Sequence, residues 1–143
     1  MKIITVIYWS GTGNTKMMAD AIVEGAKEGE TIVEIFDVND VKIEKVLNSD
    51  VVAIGCPSMG DEVLEESEME PFIETLEKEN IKDKPFALFG SYDWGDGQWM
   101  REWEERMKNA GVKLVAEGLI VQNTPEDDEL EQCKALGRTL AQS

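Results

Sequence analysis

Tyr8-Trp9-Ser10-Gly11-Thr12-Gly13-Asn14-Thr15 joins a stretch that reads as a buried strand to one that reads as a helix. Upstream, Ile3-Ile4-Thr5-Val6-Ile7-Tyr8 is β-branched and nearly continuous in apolar character, the pattern of a parallel strand covered on both faces. Downstream, Met17, Met18, Ala21, Ile22 and Gly25 recur at helical spacing. Gly11 and Gly13 let the chain turn sharply, so the free N–H groups of a helix N-terminus face the strand's end. The hydroxyls of Ser10, Thr12 and Thr15 and the amide of Asn14 converge there. Such a turn suits a phosphate, held by oriented amides and the positive end of the helix dipole without a fixed cation. It is not a P-loop, because Gly13 is followed by Asn14 and not by Lys. Nor is it a dinucleotide fingerprint, since Lys16 stands where the third glycine belongs. Taken alone, the loop reads equally well as an ordinary glycine-rich turn, and other stretches decide.

The chain has 143 residues, a length that predicts one domain over 1–143 with a sizeable core. No apolar run reaches membrane-spanning length, and Met1-Lys2-Ile3-Ile4 leads straight into a strand. The expectation is a cytoplasmic protein with neither anchor nor signal peptide. Cys56 and Cys133 match no metal or C-x-x-C spacing and read as reduced, structural thiols. Histidine is absent, which removes His-containing triads, His metal sites and the usual general base near neutral pH. With 30 acidic against 14 basic residues, the formal charge of −16 speaks against nucleic acid and anionic membranes and favours basic protein partners. The same excess also keeps a small protein soluble.

In order, the first helix is expected to fade near Gly29, and Thr31–Phe36 reads as a second strand ending at Asp37. A short helical segment covers Lys42–Leu47, and the wholly apolar Val51–Cys56 reads as a central third strand stopped by Pro57. A long acidic loop and helix run from Ser58 to about Glu79, with Phe72, Ile73 and Leu76 on one face. Phe86–Gly90 is a fourth buried strand. The loop Ser91–Gly97 leads into a helix from Gln98 to Asn109, with Trp99, Met100, Trp103 and Met107 at helical spacing and Gly111 as its cap. Lys113–Val121 is read as the fifth strand and Glu126–Ala141 as the last helix, with acidic residues at its positive end. Five strands alternating with helices through right-handed crossovers describe an α/β doubly wound parallel sheet, with helices on both faces.

Ligands of such sheets bind beyond the carboxyl ends of the strands, so the loops after strands one, three and four share one rim. On it, Met59 and Trp94 either sandwich a planar ring or pack onto the sheet edge. Gly60 supplies a peptide free to change orientation, and Asp61 and Glu62 put acceptors and negative charge beside any bound ring. A phosphate joined to an apolar ring with polar edges describes flavin mononucleotide.

Three ordered motifs then carry a family resemblance along essentially the whole chain. They are Trp9-Ser10-Gly11-Thr12-Gly13-Asn14-Thr15, Gly55-Cys56-Pro57-Ser58-Met59-Gly60-Asp61-Glu62, and Phe89-Gly90-Ser91-Tyr92-Asp93-Trp94-Gly95-Asp96-Gly97. The sequence resembles the flavodoxins, particularly the short-chain type of anaerobic bacteria. Longer flavodoxins carry an insertion in the fifth strand, for which Lys113–Val121 leaves no room.

The resemblance implies a flavodoxin-like sheet of strand order 2-1-3-4-5 and a non-covalent FMN. Its phosphate would meet Ser10, Thr12, Asn14 and Thr15 on the Gly11/Gly13 turn, and Met59 and Trp94 would flank the ring. Glu62 would accept from N3–H, and the carbonyl around Gly60 from N5–H of the reduced flavin. Backbone N–H groups of the loop formed by Ser91, Tyr92, Asp93, Trp94 and Gly95 would meet the pyrimidine edge, with Ser58 beside Met59 on the rim. It further implies a low-potential one-electron carrier, cycling mainly between semiquinone and hydroquinone, with no catalytic residue, no metal and no substrate of its own. A reduced anion among Asp61, Glu62, Asp93 and Asp96, with no cation evident in these motifs, is electrostatically disfavoured. One position departs from the family pattern, which has glycine where this chain has Asp93. A positive φ there would strain an aspartate; a carboxylate aimed at the ring would repel the reduced form.

The competing enzyme reading is an FMN-dependent quinone reductase on the same fold, which needs a substrate pocket and extra loops that this chain has little length to build. A phosphoacceptor receiver domain would need acidic residues after strand one, an Asp ending strand three and a Lys after strand five. Tyr8-Trp9-Ser10, Cys56-Pro57 and Gln122-Asn123 stand there instead. The expected partners are reductases and ferredoxin-dependent enzymes with basic docking surfaces, met by a monomer through fast, salt-sensitive association.

Overall fold

Alternation of apolar strands with amphipathic helices gives a parallel sheet covered on both faces. The computed structural model describes residues 1–143. In order it contains β1 (Lys2–Tyr8), α1 (Asn14–Ala26), β2 (Thr31–Asp37), α2 (Ile43–Leu47), β3 (Val51–Gly55), α3 (Met69–Glu77), β4 (Pro85–Tyr92), α4 (Gln98–Asn109), β5 (Lys113–Leu114), β6 (Leu119–Gln122) and α5 (Asp127–Ala141). A single 3-10 turn, Val38–Asp40, follows β2. The strands run in the order β2-β1-β3-β4, with β5 and then β6 along the far edge of β4, and every pairing is parallel. This is the 2-1-3-4-5 order that the family resemblance implies.

Successive residues of a strand face opposite sides, and β3 shows why it must be apolar throughout. Val51 and Ala53 join the core under α1 and α5, with Ile4, Val6, Ile22 and Leu140. Val52 and Ile54 join the core on the other face, with Ile73, Leu76, Trp99, Trp103 and Met107. Helices α1 and α5 lie close because glycines stand where they cross. A Cβ on Gly25 would come within 1.9 Å of the Lys134 carbonyl oxygen, and one on Gly137 within 2.1 Å of that of Ile22.

The fifth strand departs from expectation. Leu114 pairs with Phe86 and Leu119 with Phe89, so the chain takes more residues than β4 to cover the same distance. The excess bulges outward between β5 and β6. It is tied to α4, where Glu104 accepts from the Gly118 N–H at 2.9 Å and Gly118 lies against Met100. Within the loop and helix expected over Ser58–Glu79, the helix occupies Met69–Glu77. Glu65 turns the chain into α3, accepting from the backbone N–H groups of Ser67, Glu68 and Met69 at 2.7, 2.7 and 3.0 Å. The residues before it form an extended loop at the rim. Helix α1 stops at Ala26, short of Gly29.

Candidate functional site

Beyond the carboxyl ends of β1, β3 and β4, three loops enclose a cavity of about 330 Å³, within the usual size range of small-ligand sites. Its first wall is the turn into α1. Gly13, at φ 97°, begins the helix with no side chain capping it. Ser10 Oγ accepts from Gly13 N at 3.0 Å and Lys16 N at 3.4 Å. The N–H groups of Gly11, Thr12 and Thr15 have no partner within the chain. Several donors therefore stand unpaired at the positive end of a helix, a donor set suited to an anion.

The second wall is a pinched turn. Met59 and Val63 exchange backbone hydrogen bonds of 2.8 and 2.9 Å at its neck. Gly60 (φ 51°) and Glu62 (φ 58°) both adopt left-handed backbone at its tip. Between them, the Gly60 carbonyl and the Asp61 N–H bond to nothing in the chain. That peptide has neither a ladder nor a side chain to fix it.

The third wall follows β4. Ser58 N donates to the Ser91 carbonyl at 2.9 Å, which joins the second and third loops. Thr15 and Ser91 share a buried hydroxyl contact of 2.8 Å, which joins the first and third. Glu62 crosses to the third loop, where its Oε1 accepts from Asp96 N at 3.2 Å. Gly95 lies beneath it at φ 95°, a backbone conformation that favours glycine, and a Cβ there would come within 2.1 Å of that oxygen and displace the Glu62 side chain. The N–H groups of Asp93, Trp94 and Gly95 are unpartnered.

A scan against protein families matches residues 6–137 to the flavodoxin family. The flavodoxin of Clostridium beijerinckii is 51% identical over 136 residues, covering 95% of this chain and 97% of that one. The flavodoxin of Megasphaera elsdenii is 39% identical over 140 residues, covering 98% of this chain and 99% of that one. The solution structure of the two-electron reduced Megasphaera elsdenii flavodoxin superposes with a TM-score of 0.87 at 38% identity, covering 98% of this chain and 99% of that one. The chain belongs to the flavodoxin family. As a flavodoxin it binds FMN non-covalently and carries electrons between redox proteins, without turning over a substrate of its own.

The residues present fit that cofactor. Gly11, Thr12 and Asn14 line the cavity on one side, Ser58, Met59 and Gly60 on another, and Ser91, Tyr92, Asp93 and Trp94 on the third. Met59 and Trp94 thus belong to the cavity wall and not to the core, and Trp94 is 60% exposed. Trp9 and Pro57 line it as well. Trp9 stands within the glycine-rich motif, but nothing in its spacing marks it as part of the wall. Thr15 is placed differently from expectation, buried with its hydroxyl on Ser91, so that its backbone N–H is the group left unpartnered. Ser10, Gly13, Asp61, Glu62 and Gly95 stand behind the wall or at its edge, and Ser10 and Glu62 act on the loops themselves.

Asp93 does not require a positive φ, since the left-handed residues of its loop are Gly95 and Gly97. The strain contemplated from the sequence does not arise. A cation is also present where none was evident from the motifs. Arg101, on α4, pairs with Asp96 Oδ1 at 3.0 Å, although both side chains are largely exposed and the pair offsets little charge. Both thiols are buried, and burial pushes Cys56 and Cys133 up to about 12. Neither is poised for redox chemistry.

Proposed function

We propose that this flavodoxin is a low-potential one-electron carrier, working as a cytoplasmic monomer between reductases and ferredoxin-dependent enzymes that present basic docking surfaces. The observation that carries the proposal is the unequal distribution of donors and charge around the cavity. Donors without partners gather at the N-terminus of α1, and carboxylates gather around the second and third loops.

FMN supplies the one-electron chemistry; the chain supplies binding and electrostatics. The N–H groups of Gly11, Thr12 and Thr15, with the side chains of Thr12 and Asn14, would hold its phosphate. Met59 and Trp94 would flank the ring, and the N–H groups of Asp93, Trp94 and Gly95 would serve its carbonyl edge. The Gly60 carbonyl, free of any partner, is available to accept a proton-bearing nitrogen when one appears. That carbonyl would favour a protonated ring nitrogen over an unprotonated one. Asp61, Glu62 and Asp93 oppose any gain of negative charge nearby, and the only ion pair among the rim carboxylates is the exposed one to Asp96. These carboxylates would thereby disfavour a negatively charged, fully reduced ring and lower its potential. No general acid or base is required, which agrees with a chain that has no histidine.

No helix of the chain is long and apolar enough to cross a membrane. The formal charge of −16 disfavours nucleic acid and suits basic protein partners. Redox titration of the FMN-reconstituted chain tests the proposal. Two separated one-electron steps, the second well below the potential of free FMN, are expected. A single two-electron step, or turnover of quinones with a nicotinamide donor, would refute it and favour the reductase reading.

A further inference from the structure

We infer that Gln122, at the end of β6 and outside all three rim motifs, is a positioning residue that aims the Trp94 N–H into the cofactor cavity; the inference rests on the FMN reading above. The backbone ladder between β4 and β6 ends where Asn123 N donates to the Tyr92 carbonyl at 2.8 Å. Asn123 then turns away with φ 61°. The next carbonyl along, that of Asp93, is taken by the Gln122 side chain, whose Nε2 donates to it at 3.1 Å. The side-chain amide thus adds one rung beyond the last that the backbone makes.

The consequence follows from peptide geometry. The chain has no cis peptide bond, so the Asp93 carbonyl and the Trp94 N–H point in opposite directions across one plane. Asp93 and Trp94 line the cavity and Gln122 does not. Holding the carbonyl toward Gln122 turns the N–H to the cavity side, and that N–H has no partner in the chain. Two residues on, Asp96 is held at both of its backbone groups, its N–H by Glu62 and its carbonyl by Arg101 Nη1 at 2.9 Å. Gln122 is the side chain that fixes the other end of this span.

Gln122 is exposed, so replacing it removes no core contact. The test titrates the flavin-free full-length chain with FMN and with riboflavin, in the parent, Gln122→Met and Gln122→Glu. Met keeps the length and removes the donor, and Glu replaces the donor with an acceptor facing the Asp93 carbonyl. The Met variant is expected to weaken FMN and riboflavin alike, by about threefold to tenfold, the usual net worth of one hydrogen bond. The Glu variant should weaken both further. The flavin-free unfolding midpoint should not move, and the lower of the two one-electron potentials of the Met holoprotein should fall. Binding of both flavins by the Met variant within about twofold of the parent overturns the inference. So does a loss confined to FMN, or one matched by a drop in flavin-free stability. A parent that binds neither flavin defeats the cofactor reading itself, and this inference with it.

Discussion

A methyl group added at Gly60 meets nothing within 4 Å, yet the backbone there sits at φ 51°. Space and conformation therefore give opposite answers for Gly60→Ala, and conformation decides. The left-handed region costs an L-residue roughly 1–2 kcal/mol, so urea unfolding of the variant should show a loss of about that size. Where that strain biases the unpartnered Gly60–Asp61 peptide, the two one-electron potentials should move as well. At Asp93 the conclusion runs the other way. With no positive φ to relieve, Asp93→Gly and Asp93→Asn should act through charge alone. Both should raise the lower one-electron potential by similar amounts, worth about 1 kcal/mol or less at a partly solvated site and shrinking with salt. Spectroelectrochemical titration at two ionic strengths checks this, and a glycine variant that departs from the asparagine variant would point to backbone geometry after all.

Among the elements, the contact of α1 with α5 sets propensity against packing. Alanine favours a helix over glycine by about 1 kcal/mol. At Gly25 and Gly137, however, the new Cβ would meet carbonyl oxygens at 1.9 and 2.1 Å, and backbone cannot yield as a side chain can. Overpacking costs about 1–3 kcal/mol or more, so thermal unfolding should show Gly25→Ala and Gly137→Ala both destabilised despite the better helix former. The start of α3 gives a pH-dependent case. Burial resists ionisation of Glu65, but the N–H groups of Met69, Ser67 and Glu68 outweigh it and hold the carboxyl below its usual range. A group lowered in the folded state stabilises above its unfolded pKa of about 4.3 and loses that contribution as pH falls through the folded value. Glu65→Ala should therefore cost about 2 kcal/mol at neutral pH. The gap to the parent should narrow in acid below about pH 4, as pH-dependent denaturation curves would show.

For the whole molecule, the excess of 30 acidic over 14 basic residues governs encounters more than fold. Stopped-flow electron transfer with a basic redox partner should slow steeply as ionic strength rises, because screening removes the steering. The flavin-free chain should become more stable over the same range, since the same screening relieves self-repulsion. Rates indifferent to salt would remove the acidic surface from partner choice.

The β/α alternation and the three rim motifs are legible in the sequence because each is a local pattern, whereas the sheet order comes from the family resemblance those motifs carry. Buried strands are apolar at every position, as in Val51–Gly55, and glycine-rich turns sit where strands end. What the tertiary structure decided depends on partners far apart in the chain. The bulge between β5 and β6 exists because the register on β4 and the grip of Glu104 on Gly118 leave residues over, and nothing in Lys113–Val121 announces it. Thr15 is committed to Ser91 across 76 positions, and Asp96 is gripped by Glu62 and Arg101 together. Periodicity tells which face a residue occupies. Which group waits across the gap is settled only when the strands and loops are brought together, because a hydrogen-bonding side chain carries no record of its partner.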